Sequence, residues 1–175
     1  MAREVRSNVI KSSKSSVIST EDLVKFIEEE KAFVVSTGFV TIGNGEQNMM
    51  LFRNPAASTK NVNVQRLFIG LDDNNTRAKI RVYLRPAGLA TGVGLIEENL
   101  NLKDNAASAE AKAFDGTTIS TNKRNVGFSF LIPANSPTMV YDLPLFMSPG
   151  DKILVTTENS VNNKSMHCDL VWIED

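Results

Sequence analysis

This chain of 175 residues is poor in the side chains that do most protein chemistry: one histidine, one cysteine, one tryptophan and two tyrosines. A single cysteine excludes a disulfide within the chain and is uninformative about redox compartment. One histidine and one cysteine cannot make a structural zinc site without other ligands. No cofactor motif is present. Charge of one sign is also missing: 19 basic against 20 acidic residues leave a net charge of −1, whereas dedicated nucleic-acid binders are visibly basic. No apolar run approaches the ~18 residues that cross a bilayer, so no membrane partner is expected. The first residues, Met1-Ala2-Arg3-Glu4-Val5-Arg6-Ser7, have no apolar signal core. The expectation is a soluble protein made in a cytoplasm. What the chain has in abundance is amide and hydroxyl: 17 Asn, 15 Ser and 12 Thr. With 42% apolar residues, a chain this long can bury a core unaided.

Two organisational parts are expected, residues 1–31 and residues 32–175. Residues 1–19 are serine-rich and carry Arg3, Arg6, Lys11 and Lys14 against Glu4. With little to bury, such an arm orders only on docking. Residues 19–31 read as a short helix. Ser19 is placed to cap it, with Asp22 three residues on. Leu23, Phe26 and Ile27 share one side.

From residue 32 the pattern becomes short runs of β-branched and aromatic residues between Gly, Pro, Asn and Asp. Strands are expected near 33–42, 47–53, 62–70, 78–85, 93–102, 111–119, 126–132, 139–146, 151–157 and 165–173. In 78–85, Ala78, Ile80, Val82 and Leu84 oppose Lys79, Arg81, Tyr83 and Arg85, a sheet with one face wet. Val126, Phe128, Phe130 and Ile132 alternate likewise, as do Met166, Cys168, Leu170 and Trp172. Asn44-Gly45 predicts a tight hairpin. Pro144 predicts an edge or a bulge. Residues 106–113 read either as helix, from their alanines, or as strand, from the alternating Ser108, Glu110 and Lys112. Many short strands without alternating helices predict an all-β fold: an antiparallel β-sandwich, jelly-roll-like, with an N-terminal arm and one short helix.

Chemistry is sparse. His167 and Cys168 are adjacent in a strand and point to opposite faces, so they form no dyad. Cys168 is expected in the core and His167 on the surface; a triad through His167 lacks a nucleophile-elbow motif. Residues 72–76 read as a turn, not a calcium loop. Gly88, Gly92 and Gly94 lack the strand-to-helix context of a phosphate loop. Glu97, Glu98 and Asp115 are isolated carboxylates. The sequons at Asn74 and Asn163 carry little without a secretory signal. No catalytic, cofactor or metal residue is assigned, and an enzyme is not expected. The basic stripe Arg77, Lys79, Arg81 and Arg85 is left as a candidate partner-binding surface, with the arm cations Arg3, Arg6, Lys11 and Lys14. The other reading of the stripe is a solvated face balanced by Asp72, Asp73 and Glu97.

Several segments carry a family likeness: Phe52-Arg53-Asn54-Pro55 then Ser58-Thr59-Lys60-Asn61-Val62; Ile80-Arg81-Val82-Tyr83-Leu84; Glu98-Asn99-Leu100-Asn101-Leu102; Phe146-Met147-Ser148-Pro149-Gly150-Asp151; Leu170-Val171-Trp172-Ile173-Glu174. Over residues 47–175 the chain resembles the head-decoration, or cement, group of tailed-bacteriophage virion proteins. The resemblance implies a jelly-roll-like body, a homotrimer and a seat on the outside of a capsid. Its partner would then be the major capsid protein, bridged between capsomers by the sandwich and the arm. The alternative is a receptor- or glycan-binding tail appendage. Direct nucleic-acid binding is not expected, the arm's excess of three positive charges being low for that task.

Overall fold

The computed structural model describes residues 19–71, 77–87, 92–103, 106–115, 125–134, 138–159 and 164–175. The candidate cations Arg3, Arg6, Lys11 and Lys14, the acids Asp72 and Asp73, and the sequon asparagines Asn74 and Asn163 lie outside them. Helix α1 (Thr20–Glu28) starts where Ser19 caps it: the Asp22 amide donates to Ser19 Oγ at 3.1 Å, and that hydroxyl donates to the Asp22 carboxylate. It ends with Glu30 in the left-handed region (φ 60°). The amide of Lys31 donates to Phe26 O and that of Glu30 to Ile27 O, the paired bonds of a Schellman stop.

Among the described residues the body is two antiparallel sheets of six strands each. The first contains β1 (Ala32–Ser36), β2 (Val40–Ile42), β4 (Val62–Leu71), β7 (Glu97–Asn99), β10 (Thr138–Met147) and β12 (Lys164–Glu174). The second contains β3 (Gly45–Arg53), β5 (Ala78–Leu84), β6 (Val93–Gly94), β8 (Lys112–Asp115), β9 (Val126–Ile132) and β11 (Lys152–Asn159). Four of the pairings nest: β5 with β9, β4 with β10, β3 with β11, and β1 with β12. The chain is thus a long antiparallel ribbon of two arms, rolled so that β12 also meets β4 and β11 also meets β5. That is the jelly-roll path.

The alternating faces meet between the sheets. Phe33, Val64, Leu67, Cys168, Leu170 and Trp172 from the first sheet pack on Met50, Phe52, Ile80, Val82 and Val155 from the second. Trp172 lies between Phe33 and Phe52, with centroids at 5.7 and 4.8 Å. Cys168 is fully buried, as its face predicted. One side of the sandwich is crossed by residues 93–99, which pair first with β8 and then with β1. At the other side β9 and β10 are the outermost strands, joined by the stacked rings of Phe130 and Tyr141 at 4.1 Å.

Several expectations are corrected. Asn44-Gly45 is not a hairpin: β2 and β3 belong to different sheets, and Gly45 (φ 89°) turns the chain across the sandwich. The run 33–42 breaks at Thr37–Phe39 around Gly38 (φ 61°), and β1 and β2 both pair with β12. The run 93–102 divides into two short strands because it changes sheet. Residues 112–115 are strand, and 106–111 are not helix. Pro144 lies on edge strand β10, where the register shifts between Asp142 and Leu145.

Four glutamates hold residues 106–113 against the body, Glu30 among them, which accepts from the Ala107 amide at 3.1 Å. The buried carboxylate of Glu174 accepts from the amides of Glu110 (3.0 Å) and Ala111 (2.9 Å) and from Trp172 Nε1 (3.1 Å). Glu110 accepts from Ser58 Oγ and from the amide and hydroxyl of Thr59, which hold its carboxyl below the ordinary range. Glu97 accepts from the Ala113 amide at 2.8 Å. These bonds favour extended backbone where alanine propensity alone favours helix.

Candidate partner-binding surface

The outer face of the second sheet carries the basic stripe of β5. Its polar alternation is interrupted by an apolar row: Phe114, Leu51, Leu154 and Tyr83 stand side by side on β8, β3, β11 and β5. Tyr83, expected on the wet face, is therefore buried. Burial, the bond from its hydroxyl to Glu46 Oε1 (2.9 Å) and that carboxylate's charge push its phenol up to about 12. Glu46 is a hub: Thr156 Oγ1 donates to it at 2.7 Å, and Arg81 Nη1 lies 3.4 Å away.

The four cations of the stripe have different fates. Arg81 is held between Glu46 and Glu158. Arg85 has a left-handed backbone (φ 48°), and its Nε donates to Asp151 Oδ1 at 2.8 Å. Arg77 and Lys79 make no ion pair with a described residue. They line a shallow groove of about 340 Å³ with Asn44, Leu131, Glu158 and Asn159. Lys79 is the cross-strand partner of Leu131, whose side chain is 59% exposed. The acids that balance the stripe among the described residues are Glu46, Glu158 and Asp151. Glu97, expected in that role, instead bonds Lys112 and the Ala113 amide. Nothing local in the sequence marks Glu46 as the hub, since it comes from a strand 37 residues from Tyr83.

Of the other exposed large apolar side chains, Val126 and Leu131 are on β9, Val140 and Phe146 on β10 and Val93 on β6, while Phe39, Ile96 and Leu102 lie between strands and Val24 is on α1. A second hollow of about 320 Å³, lined by Leu84, Leu145, Phe146, Met147 and Ile153, opens beside Arg85 and Lys152.

His167 is on the outer face of the first sheet but is not fully exposed. Its ring lies over Gly70, where a Cβ would come 1.8 Å from Cε1, and the edge of Phe39 meets it at 4.9 Å. A carboxylate and a serine are close: Nε2 is 3.9 Å from Asp169 Oδ2, and Ser36 Oγ donates to Asp169 Oδ1 at 2.5 Å. The order is wrong for nucleophilic catalysis, because the serine proton is held by the carboxylate and not by the imidazole. Burial pushes the Cys168 thiol up, away from the thiolate that reactivity needs. Among the described residues no cluster of three His, Cys, Asp or Glu could hold a metal, and no helix is long and apolar enough to cross a membrane.

No family model matches the chain, and no curated protein matches it. Among solved structures, the VP2 subviral particle of infectious bursal disease virus aligns at a TM-score of 0.15 and 12% identity, over 82% of this chain and 41% of that one. The chain thus spans less than half the length of that protein, and a likeness this low carries no argument.

Proposed function

We propose that the protein is a structural component of a virus particle, an outer decoration or cement protein that bridges capsomers as a homotrimer on the capsid exterior. The observation that carries the reading is the apolar surface on the outermost strands. Val126, Leu131, Val140 and Phe146 are exposed on β9 and β10, which have no strand partner on their outward side among the described residues. Exposed apolar groups beside an open sheet edge favour coverage by another protein. The jelly-roll path and the serine-to-carboxylate bond beside His167 agree with a binding role; fold alone does not decide function. Bridging adds interface at every junction between capsomers, and standard interfaces bury roughly 1,600 Å². The major capsid protein is the proposed partner, and the arm of residues 1–19 adds avidity over many copies.

Immunogold labelling of particles from the producing culture tests this. Label on heads is the expected result. Label confined to tails would favour a receptor- or glycan-binding appendage, and unlabelled particles would refute both. Co-sedimentation of a chain lacking residues 1–19 with purified shells tests the arm; undiminished binding would remove it from the account.

A further inference from the structure

Helix α1 has an exposed apolar residue between two acids. Val24 is 49% exposed, with Glu21 one turn before it and Glu28 one turn after. No residue of the helix is buried. Leu23, Phe26 and Ile27 are half-buried on its other side, and Asn101 Nδ2 donates to Ile27 O at 3.0 Å and Asn99 Nδ2 to Glu30 O at 2.9 Å. The groove on the second sheet has exposed Leu131 beside Arg77 and Lys79, neither cation paired with a described residue; its one acid, Glu158, is engaged by Arg81.

These surfaces cannot meet within one chain. The helix leads into Ala32, which pairs with Ile173 at the end of the sandwich where Arg53, Val62 and Met147 also lie. Arg77 precedes Ala78, which pairs with Asn159 and Ile132 at the opposite end. The seven residues of β5 separate the two ends by roughly 20 Å.

We propose that helix α1 of one copy docks in the Arg77–Lys79–Leu131 groove of a second copy, Val24 against Leu131 and Glu21 and Glu28 toward the two cations. Charge complementarity chooses this occupant. Along a helix Glu21 and Glu28 are about 10 Å apart, and Arg77 and Lys79 are about 7 Å apart along a strand, a mismatch that these long side chains span. The contact joins two different surfaces, so repeated copies close into a ring when the rotation permits. The inference rests on the homo-oligomeric part of the reading above, not on its capsid.

Sedimentation velocity of the full chain at low and high salt is the experiment, with circular dichroism checking that each variant is folded. The wild type should associate, less so at high salt. Arg77→Glu with Lys79→Glu should weaken association roughly tenfold or more, and so should Glu21→Lys with Glu28→Lys. A chain carrying all four reversals should associate again. A monomeric wild type overturns both this contact and the homotrimer. Association that ignores the reversals, or that the fourfold variant does not recover, overturns the contact alone.

Discussion

Glu174 gives the sharpest test of how the body is held. Its side chain is buried and is the shared acceptor for two backbone amides and the indole of Trp172, with Lys60 Nζ at 3.5 Å. Glu174→Ala removes that acceptor. Each donor left buried and unsatisfied costs about 1–3 kcal/mol, and partial relaxation of residues 106–111 offsets some of the sum. The expected loss is about 3–5 kcal/mol, the range found when one partner of a buried polar cluster is removed. At about 2–4 °C per kcal/mol for a chain of this size, the melting midpoint should fall by roughly 10 °C. Glu174→Gln retains an oxygen and should cost about 1–2 kcal/mol. Urea unfolding followed by the fluorescence of Trp172, the only tryptophan, measures both, and the m-value should be unchanged. A loss below about 1 kcal/mol for the alanine variant would refute the reasoning. So would a glutamine variant as unstable as the alanine one.

Cys168 should not react with a thiol reagent until urea unfolds the chain, and Cys168→Ser should cost about 1–3 kcal/mol by burying a hydroxyl where the core offers little to bond it; rapid labelling of native protein would contradict this. Absorbance at 295 nm should show Tyr83 ionising near its raised value of about 12 and Tyr141, also raised, above the ordinary range. Because the neutral phenol of Tyr83 is the form the fold favours, its contribution is complete below pH 10 and is lost as pH rises toward 12; a normal titration of both phenols in folded protein would count against the burial. Gly70→Ala should destabilise by about 1–3 kcal/mol through collision with the His167 ring. Adding His167→Ala should recover most of that loss, and strict additivity in the double-mutant cycle would refute the contact.

Local pattern was legible wherever local forces decide. The cap at Ser19, the alternation of β5 and β12, the core side of Cys168 and the edge position of Pro144 follow from short-range chemistry. The sheet to which each strand belongs does not. Asn44-Gly45 has hairpin composition, yet the strands on either side go to different sheets because Ile42 and Met50 face the core from opposite layers. The candidate surface was half legible. The sequence places Arg77, Lys79, Arg81 and Arg85 near one another, but Glu46 and Glu158 on other strands and Asp151 just before β11, which take two of them out of play, are distant in the chain. Tyr83 was misplaced for the same reason: Leu51, Phe114 and Leu154, the row that buries it, come from three other strands. Residues 106–113 were undecided because their conformation is set by Glu174, more than sixty residues on.

The nested pairing has a consequence for synthesis. Strand β12, which follows the other described strands in the chain, lies between β4 and β1 and brings Trp172 to the middle of the core. Until it has been made, the first sheet has a gap where its central strand belongs, and Phe33 and Phe52 have no tryptophan between them. The emerging chain therefore waits with apolar faces uncovered, and folding of so non-local a topology is slow. Rapid overproduction should send this protein into inclusion bodies more readily than its near-average hydropathy suggests, and slower translation at lower temperature should bring it back into solution.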